Sequence, residues 1–185
     1  MARSTLPALL GAMLLSVSTA GQALPTPTTP DPAVLPGIQG HWVDVTTSPH
    51  SIGDADNALI GAGGFTIARS FDLIHSVINI GDCCSAASLD PLSALGDDNF
   101  AVRYTGYLRI ETRGSYRFRM YHDDGIRVIL GGETIILYPT DTSPTDSDSL
   151  AYDLDAGYYA LDIVGWEQGG NFVNRFQVAQ GTLPF

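Results

Sequence analysis

From residue 38 onward, apolar and polar side chains change places every second residue, the repeat of strands with one buried and one wet face. His41–Val45 opens this region with aromatic and β-branched residues. In Ala101–Ile110, Val102 and Tyr104 fall on one side, Arg103 and Thr105 on the other. Ser115–Tyr121 is clearer: Tyr116, Phe118 and Met120 oppose Arg117 and Arg119. Past His122-Asp123-Asp124-Gly125 the alternation resumes, with Ile126, Val128 and Leu130 inward and Arg127 outward. Gly131-Gly132 predicts a tight hairpin into Glu133–Tyr138. Thr140–Ser149 reads as a polar loop, and Leu150–Leu154, Tyr158–Trp166 and Phe172–Val178 as three more strands. Short strands at these spacings predict an all-β antiparallel sandwich. One helical excursion interrupts them near residues 54–60, with Ser51 or Asp54 as its cap.

The N-terminal 37 residues follow other rules. Arg3, the apolar run Leu6–Val17 and small residues at Ser18, Ala20, Gly21 and Ala23 fit a signal peptide over residues 1–23, cleaved after Ala20 or Ala23. A membrane anchor is the alternative, but the run contains Pro7 and falls short of the roughly 20 residues a spanning helix needs. The expectation is an exported, secreted or cell-surface protein with no membrane span in the mature chain. Residues 24–37 carry Pro25, Pro27, Pro30, Pro32 and Pro36, a composition suited to an extended linker or to a tail left by processing. The domain itself is expected over residues 38–185.

Composition narrows the function. A chain of 185 residues that is 44% hydrophobic and 16% charged supports one core. Its net charge is −11, with 20 acidic residues against 9 basic ones, all of them Arg. That balance excludes a general binder of nucleic-acid phosphates, which needs clustered cations. Only Glu111, Glu133 and Glu167 are Glu, and the preference for Asp suits turns and hard-cation ligands over helices.

The ordered pieces Asn99–Leu108, Gly114-Ser115-Tyr116-Arg117-Phe118 and Asp123-Asp124-Gly125-Ile126-Arg127-Val128 resemble the core of the protective antigen 14 (PA-14) domain. Asp155-Ala156-Gly157-Tyr158-Tyr159 and Glu167-Gln168-Gly169-Gly170 stand where that family has a Gly-x-Tyr strand and a Glu-x-Gly-Gly loop. The resemblance implies a twisted β-sandwich and, in lectin-like members, two consecutive Asp residues that bind calcium, often across a cis peptide, so that the ion contacts sugar hydroxyls. Here the pair is Asp123 and Asp124. Hard carboxylate oxygens in a turn are what Ca²⁺ requires. The alternative is an Asx-turn without metal, in which both side chains cap backbone amides before Gly125.

The resemblance directs the search for further ligands to Trp166–Asn171. Asn171 is the candidate third metal ligand through its amide oxygen, and Gly169-Gly170 allow close backbone approach. The glycan would meet Asp123, Asp124, Trp166, Glu167, Gln168, Gly169, Gly170 and Asn171. Trp166 is read either as a platform for a pyranose ring or as core packing at a strand end, and Glu167 as a ligand contact or as a partner of an Arg or of loop amides. His122 reads as a strand-end side chain. Arg117 and Arg119 either bind acidic glycans or pair across strands. The loop acids Asp141, Asp146 and Asp148 read as solvated, and Cys83-Cys84 as a local disulfide or as structurally silent.

The sequence contains no Gly-x-Ser-x-Gly elbow, no His-Glu-x-x-His and no phosphate loop, which argues against an enzyme. A glycosidase pair of Asp124 and Glu167 is the best catalytic guess, and it would need carboxylates roughly 5–9.5 Å apart. The sequence therefore predicts an exported, calcium-dependent carbohydrate-binding module of lectin or adhesin type. Its rival is a structural or protein-interaction module whose Asp-Asp turn only stabilises the fold.

Overall fold

The alternating segments form two antiparallel sheets, which a computed structural model describes over residues 23–30, 36–81 and 98–185. The signal peptide, apart from Ala23, and Cys83-Cys84 lie outside those residues. The elements run β1 (Ile38–Val45), α1 (Ile52–Ala58), β2 (Ile67–His75), β3 (Asn79–Gly81), β4 (Phe100–Ile110), β5 (Gly114–Asp123), β6 (Ile126–Leu130), β7 (Glu133–Tyr138), β8 (Thr145–Asp148), β9 (Tyr152–Leu154), β10 (Gly157–Glu167) and β11 (Val173–Gln180). The larger sheet has the order β2-β1-β4-β10-β6-β7. The smaller has β3-β11-β5-β8, with β9 also paired to β5.

Period-two side chains meet between the sheets. Phe118 and Met120 from the small sheet and Val102, Tyr104, Val128 and Ile163 from the large one are all fully buried in one cluster. Each such side chain contributes roughly 1.5–3 kcal/mol through burial. Trp42 is the aromatic centre, with ring centroids 5.6 Å from Tyr104, 5.9 Å from Phe100 and 5.9 Å from Phe172. Its edge-on packing fits the ring quadrupole.

The outer face of the large sheet carries a second core. Val43, Val45, Ala101, Val164 and Trp166 point away from the sandwich interior and are covered by Ala55, Ala58 and Leu59 of the helical segment. The helix starts two residues earlier than the sequence predicts, because the Ser51 hydroxyl accepts the Asp54 amide at 3.1 Å and fixes the first turn. Arg127 on β6 clamps it through a two-point contact with Asp56 (2.7 and 2.8 Å).

Edge strands are where periodicity fails. Thr140–Ser149, expected to be a loop, contains β8, a wholly polar strand paired to β5 from Arg119↔Asp148 to His122↔Thr145. Backbone pairing and the Arg119–Asp148 contacts (2.6 and 2.7 Å) hold it, and neither leaves a hydrophobic trace. β2 is also an edge strand with mostly exposed residues, but Phe71 and Leu73 alternate with Ser70 and Asp72 and pack half-buried against the core. The Arg row is engaged by this sheet: Arg119 also meets Asp146 (3.3 Å), while Arg117 donates to the carbonyls of Gly181 and Leu183. Both guanidinium groups lie over the Phe185 ring.

Residues 24–28, part of the Pro-rich stretch, lie against the sandwich. The Thr26 amide donates to Gly131 (3.0 Å) and the Thr28 amide to Tyr158 (2.7 Å), on the edge of β10 where β6 has ended. A Cβ on Gly131 would stand 2.5 Å from the Thr26 nitrogen, whereas one on Gly132 would meet nothing within 4 Å. Both glycines have positive φ (54° and 90°), so alanine strains the turn at either position. Gly131→Ala is therefore expected to cost about 1–2 kcal/mol more than Gly132→Ala in chemical denaturation. It alone should speed hydrogen exchange at Thr26 and Thr28.

Candidate functional site

The two sheets each deliver a carboxylate to the same end of the sandwich. β5 ends at Asp123, β10 ends at Glu167, and the turn into β6 adds Asp124. The Asp123-Asp124 peptide is cis. The backbone joins the two strand ends directly, for the Asp124 amide donates to the Trp166 carbonyl at 2.9 Å. Gly125 completes the junction: a Cβ there would stand 2.1 Å from the Trp166 ring and 2.6 Å from the Thr140 carbonyl. The third residue of Asp-Asp-Gly must be glycine because an indole packs on it.

Asp123, Asp124 and Glu167 are all buried, and each offers an oxygen within 4.8 Å of the others. Loop amides serve two of these groups in turn. Asp124 accepts from Thr142 (3.1 Å) and Gln168 (2.9 Å), and Glu167 accepts from Gly169 through Oε1 (2.8 Å). The next amide, of Gly170, goes to Asp98 (3.1 Å). Glu167 Oε2 is buried without a hydrogen-bond partner. The Asp123 carboxylate accepts no hydrogen bond from any described side chain or loop amide, and no Arg pairs with any of the three.

Electrostatics follow from that crowding. Burial pushes Glu167 up to about 9, and the neighbouring Asp124 and Asp123 charges add to the shift against the Gly169 hydrogen bond. Burial, then Asp124, raises Asp123 to about 7. Asp124 is raised by burial, partly offset by its two amide donors. His122, behind the pair, has lowered basicity through burial. Its Nδ1–H donates to the Asp124 carbonyl (2.6 Å), which leaves Nε2 to accept from the Ser147 hydroxyl (2.8 Å).

A cleft of about 430 Å³ opens over the carboxylates. One wall is Asp141, Thr142, Ser143 and Pro144, and the other is Gln168, Gly169, Gly170 and Asn171. Gly170 has φ 112° and clear space around it, so the second wall reaches the cleft with bare backbone. Seven of the eight candidate residues thus gather at this end, with Asn171 exposed on the rim and Glu167 beneath it. The eighth, Trp166, is corrected. It is fully buried in the cluster beneath α1 and presents no face to a sugar. Of the partners expected for Glu167, the loop amide of Gly169 is the one found, with the Asp pair as its neighbours.

Sequence reasoning missed Asp141, which it read as solvated. Trp166 Nε1–H donates to its Oδ1 (3.0 Å), and His50 Nδ1 contacts its Oδ2 (2.6 Å). Nothing in the sequence spacing joins His50, Asp141 and Trp166; the tertiary fold does.

The donor set suits a hard divalent cation. Three buried carboxylates, one with an orphan oxygen and none in an ion pair among the described residues, supply negative charge and oxygen ligands that loop amides offset only in part.

A family profile for the PA14 domain matches residues 88–178. No curated protein matches the sequence. Among solved structures, the PA14 domain of the antifreeze protein MpAFP is similar at 19% identity and TM-score 0.67, over 84% of this chain and 87% of that one. The PA14 sugar-binding domain of an RTX adhesin follows at 18% identity and TM-score 0.64, over 80% and 91%. The epithelial adhesin 9 A domain from Candida glabrata, solved with Galβ1-3GlcNAc, gives 14% identity and TM-score 0.62, over 89% and 91%. At such identities the likeness shows a shared sandwich fold.

The raised carboxylates set a pH dependence with a definite sign. In the unfolded chain Asp123 and Glu167 ionise near their ordinary values, but in the metal-free fold they hold their protons to about 7 and about 9. The native state then binds more protons between those limits, so stability falls as pH rises. The melting temperature of metal-free protein should fall by about 5 °C or more from about pH 5 to about pH 9. Glu167→Gln should remove most of that slope, as read by calorimetric scans across the range.

Proposed function

The chain belongs to the PA14 domain family, and from that premise we propose that it is a carbohydrate-binding module of lectin type whose cleft takes a neutral glycan with the help of Ca²⁺. The observation that carries this reading is the trio of buried carboxylates at the foot of an open cleft, with Glu167 Oε2 unpartnered and no basic residue against them. Asp123 and Asp124 would hold the ion, with Glu167 beneath and Asn171 at the rim. When bound, calcium neutralises the carboxylates and offers coordination positions to sugar hydroxyls.

The chain's own residues do the rest. Asp124 is fixed by the Thr142 and Gln168 amides, so one ligand is set before any ion arrives. Gln168, Gly169, Gly170 and Asn171 on one side, and Thr142 and Ser143 on the other, offer amide and hydroxyl groups to a saccharide. The cleft residues carry acids and no Arg or His, and Asp98 adds another acid through Gly170. That charge disfavours uronates and sulfated glycans and favours neutral sugars. The Arg row does not offer a competing anionic site, since Arg119 is paired with Asp146 and Asp148.

The reading extends to location. We infer export through the N-terminal signal peptide, with residues 24–30 joining the domain at its mature end. Extracellular calcium levels match the affinities of exposed modules of this kind. No helix among the described residues is long and apolar enough to cross a membrane. Binding without catalysis is the proposed role.

Asp123→Asn separates the readings. Its carboxylate receives no hydrogen bond from the described loops, so the substitution removes a ligand charge and leaves the Asp124 network intact. The variant should fold with a melting temperature within about 5 °C of metal-free wild type. It should lose calcium-dependent retention on a panel of neutral glycans that includes Galβ1-3GlcNAc. Unchanged glycan retention would place the sugar elsewhere, and a wild type that binds calcium but no glycan would favour the protein-interaction module.

A further inference from the structure

The wall formed by residues 139–144 has no hydrophobic anchor of its own in the cleft, yet the Thr142 amide must reach Asp124 Oδ1 and does so at 3.1 Å. Beyond backbone bonds at its start, what holds it is one side chain. Asp141 receives the Trp166 indole N–H on one oxygen (3.0 Å) and His50 Nδ1 on the other (2.6 Å). These two partners come from different elements. Trp166 stands at the end of β10, locked in the core beneath α1, while His50 lies in the connection between β1 and α1. The same connection grips the loop through its backbone, with the Ile52 amide on the Pro139 carbonyl (3.1 Å) and a bridge between Ser51 and Thr140. Indole and imidazole thus engage one oxygen each of a carboxylate that lines the cleft.

We propose that Asp141 is a positioning residue for the glycan: the His50–Asp141–Trp166 clamp presets the 142–144 wall, so that sugar affinity depends on the clamp while calcium affinity does not. The proposal rests on the lectin reading above. Asp141 gives each oxygen a protein partner and stands outside the Asp123, Asp124 and Glu167 cluster, although its charge still reaches Asp124. Presetting a wall removes the ordering cost that the sugar would otherwise meet on entry. The calcium ligands keep their places without it, because Asp124 is held also by the Gln168 amide and by its own backbone bond to Trp166.

The chemistry of the clamp dictates the variants. Asp141→Ala removes both acceptors. Asp141→Asn keeps an oxygen for the indole N–H and offers an amide hydrogen to a neutral His50. His50→Ala cuts one tether, and His50→Asn restores a donor near the Nδ1 position.

Calcium affinity by calorimetry and glycan affinity on immobilised Galβ1-3GlcNAc, in saturating calcium, are measured for wild type and all four variants. Asp141→Ala and His50→Ala should weaken glycan binding by about five- to tenfold. His50→Ala should hold calcium affinity within about twofold of wild type and Asp141→Ala within about twofold of the equally uncharged Asp141→Asn, while Asp141→Asn and His50→Asn recover most of the glycan loss. Hydrogen exchange at the Thr142 amide should accelerate in the two alanine variants while that at Gln168 stays unchanged. Equal losses of calcium and glycan affinity would make Asp141 part of the metal site and overturn the proposal. Alanine variants that bind glycan like wild type would overturn it too, with the lectin reading intact. A wild type that retains no neutral glycan would instead sink the lectin reading, and the clamp's role with it.

Discussion

Three carboxylates share a buried corner in which they cannot all be ionised. Asp123, Asp124 and Glu167 each have an oxygen within 4.8 Å of the others, no described Arg pairs with them, and His50 eases Asp124 only as the last of its influences. In a medium less polarisable than water such charges repel by several kcal/mol unless a proton or a cation intervenes. The raised values of Asp123 and Glu167 are the protonic answer. A divalent cation is the other, and it would neutralise the ionised carboxylates while offering coordination positions to hydroxyl ligands. Much of the surrounding structure serves to keep this arrangement from relaxing.

The restraint is built from both sheets. β5 brings Asp123 and β10 brings Glu167, and the strands are joined where the Asp124 amide meets the Trp166 carbonyl. Trp166 then packs its ring on Gly125, spends its N–H on Asp141 and fills the cluster beneath α1. The short helix therefore has a clear place in the design: by covering the outer face of the large sheet it buries the indole that packs on Gly125 and anchors the Asp141 wall of the cleft. His122 closes the back of the turn through the Asp124 carbonyl and Ser147, so that even the polar edge strand β8 has a hand in holding the site.

Much of this was legible in the residues. Tyr116, Phe118 and Met120 against Arg117 and Arg119 announced β5, and Ile126, Val128 and Leu130 announced β6, because core-facing strands must alternate. Asp123-Asp124-Gly125 and Glu167-Gln168-Gly169-Gly170 marked the site through their resemblance to the PA-14 pattern. Thr145–Asp148 escaped notice because this polar edge strand is fixed by backbone pairing, which has no side-chain period, whereas Ile67–His75 carried only the short alternation of Phe71 and Leu73 with Ser70 and Asp72. Trp166 allowed two readings, since alternation put it on the outer face and only α1 reveals that this face is covered. Asp141 looked solvated for a related reason: its partners His50 and Trp166 stand 91 and 25 residues away in sequence.

The most direct test is calorimetric titration of Ca²⁺ into metal-stripped protein near pH 7, repeated in two buffers that differ widely in ionisation enthalpy. Calcium should bind at micromolar to millimolar concentration, and the observed heat should depend on the buffer, because Glu167 and part of the Asp123 population surrender protons as the ion enters. Absence of binding at tens of millimolar calcium, or binding with the same heat in both buffers, would contradict the account of a proton-loaded carboxylate trio that awaits a cation.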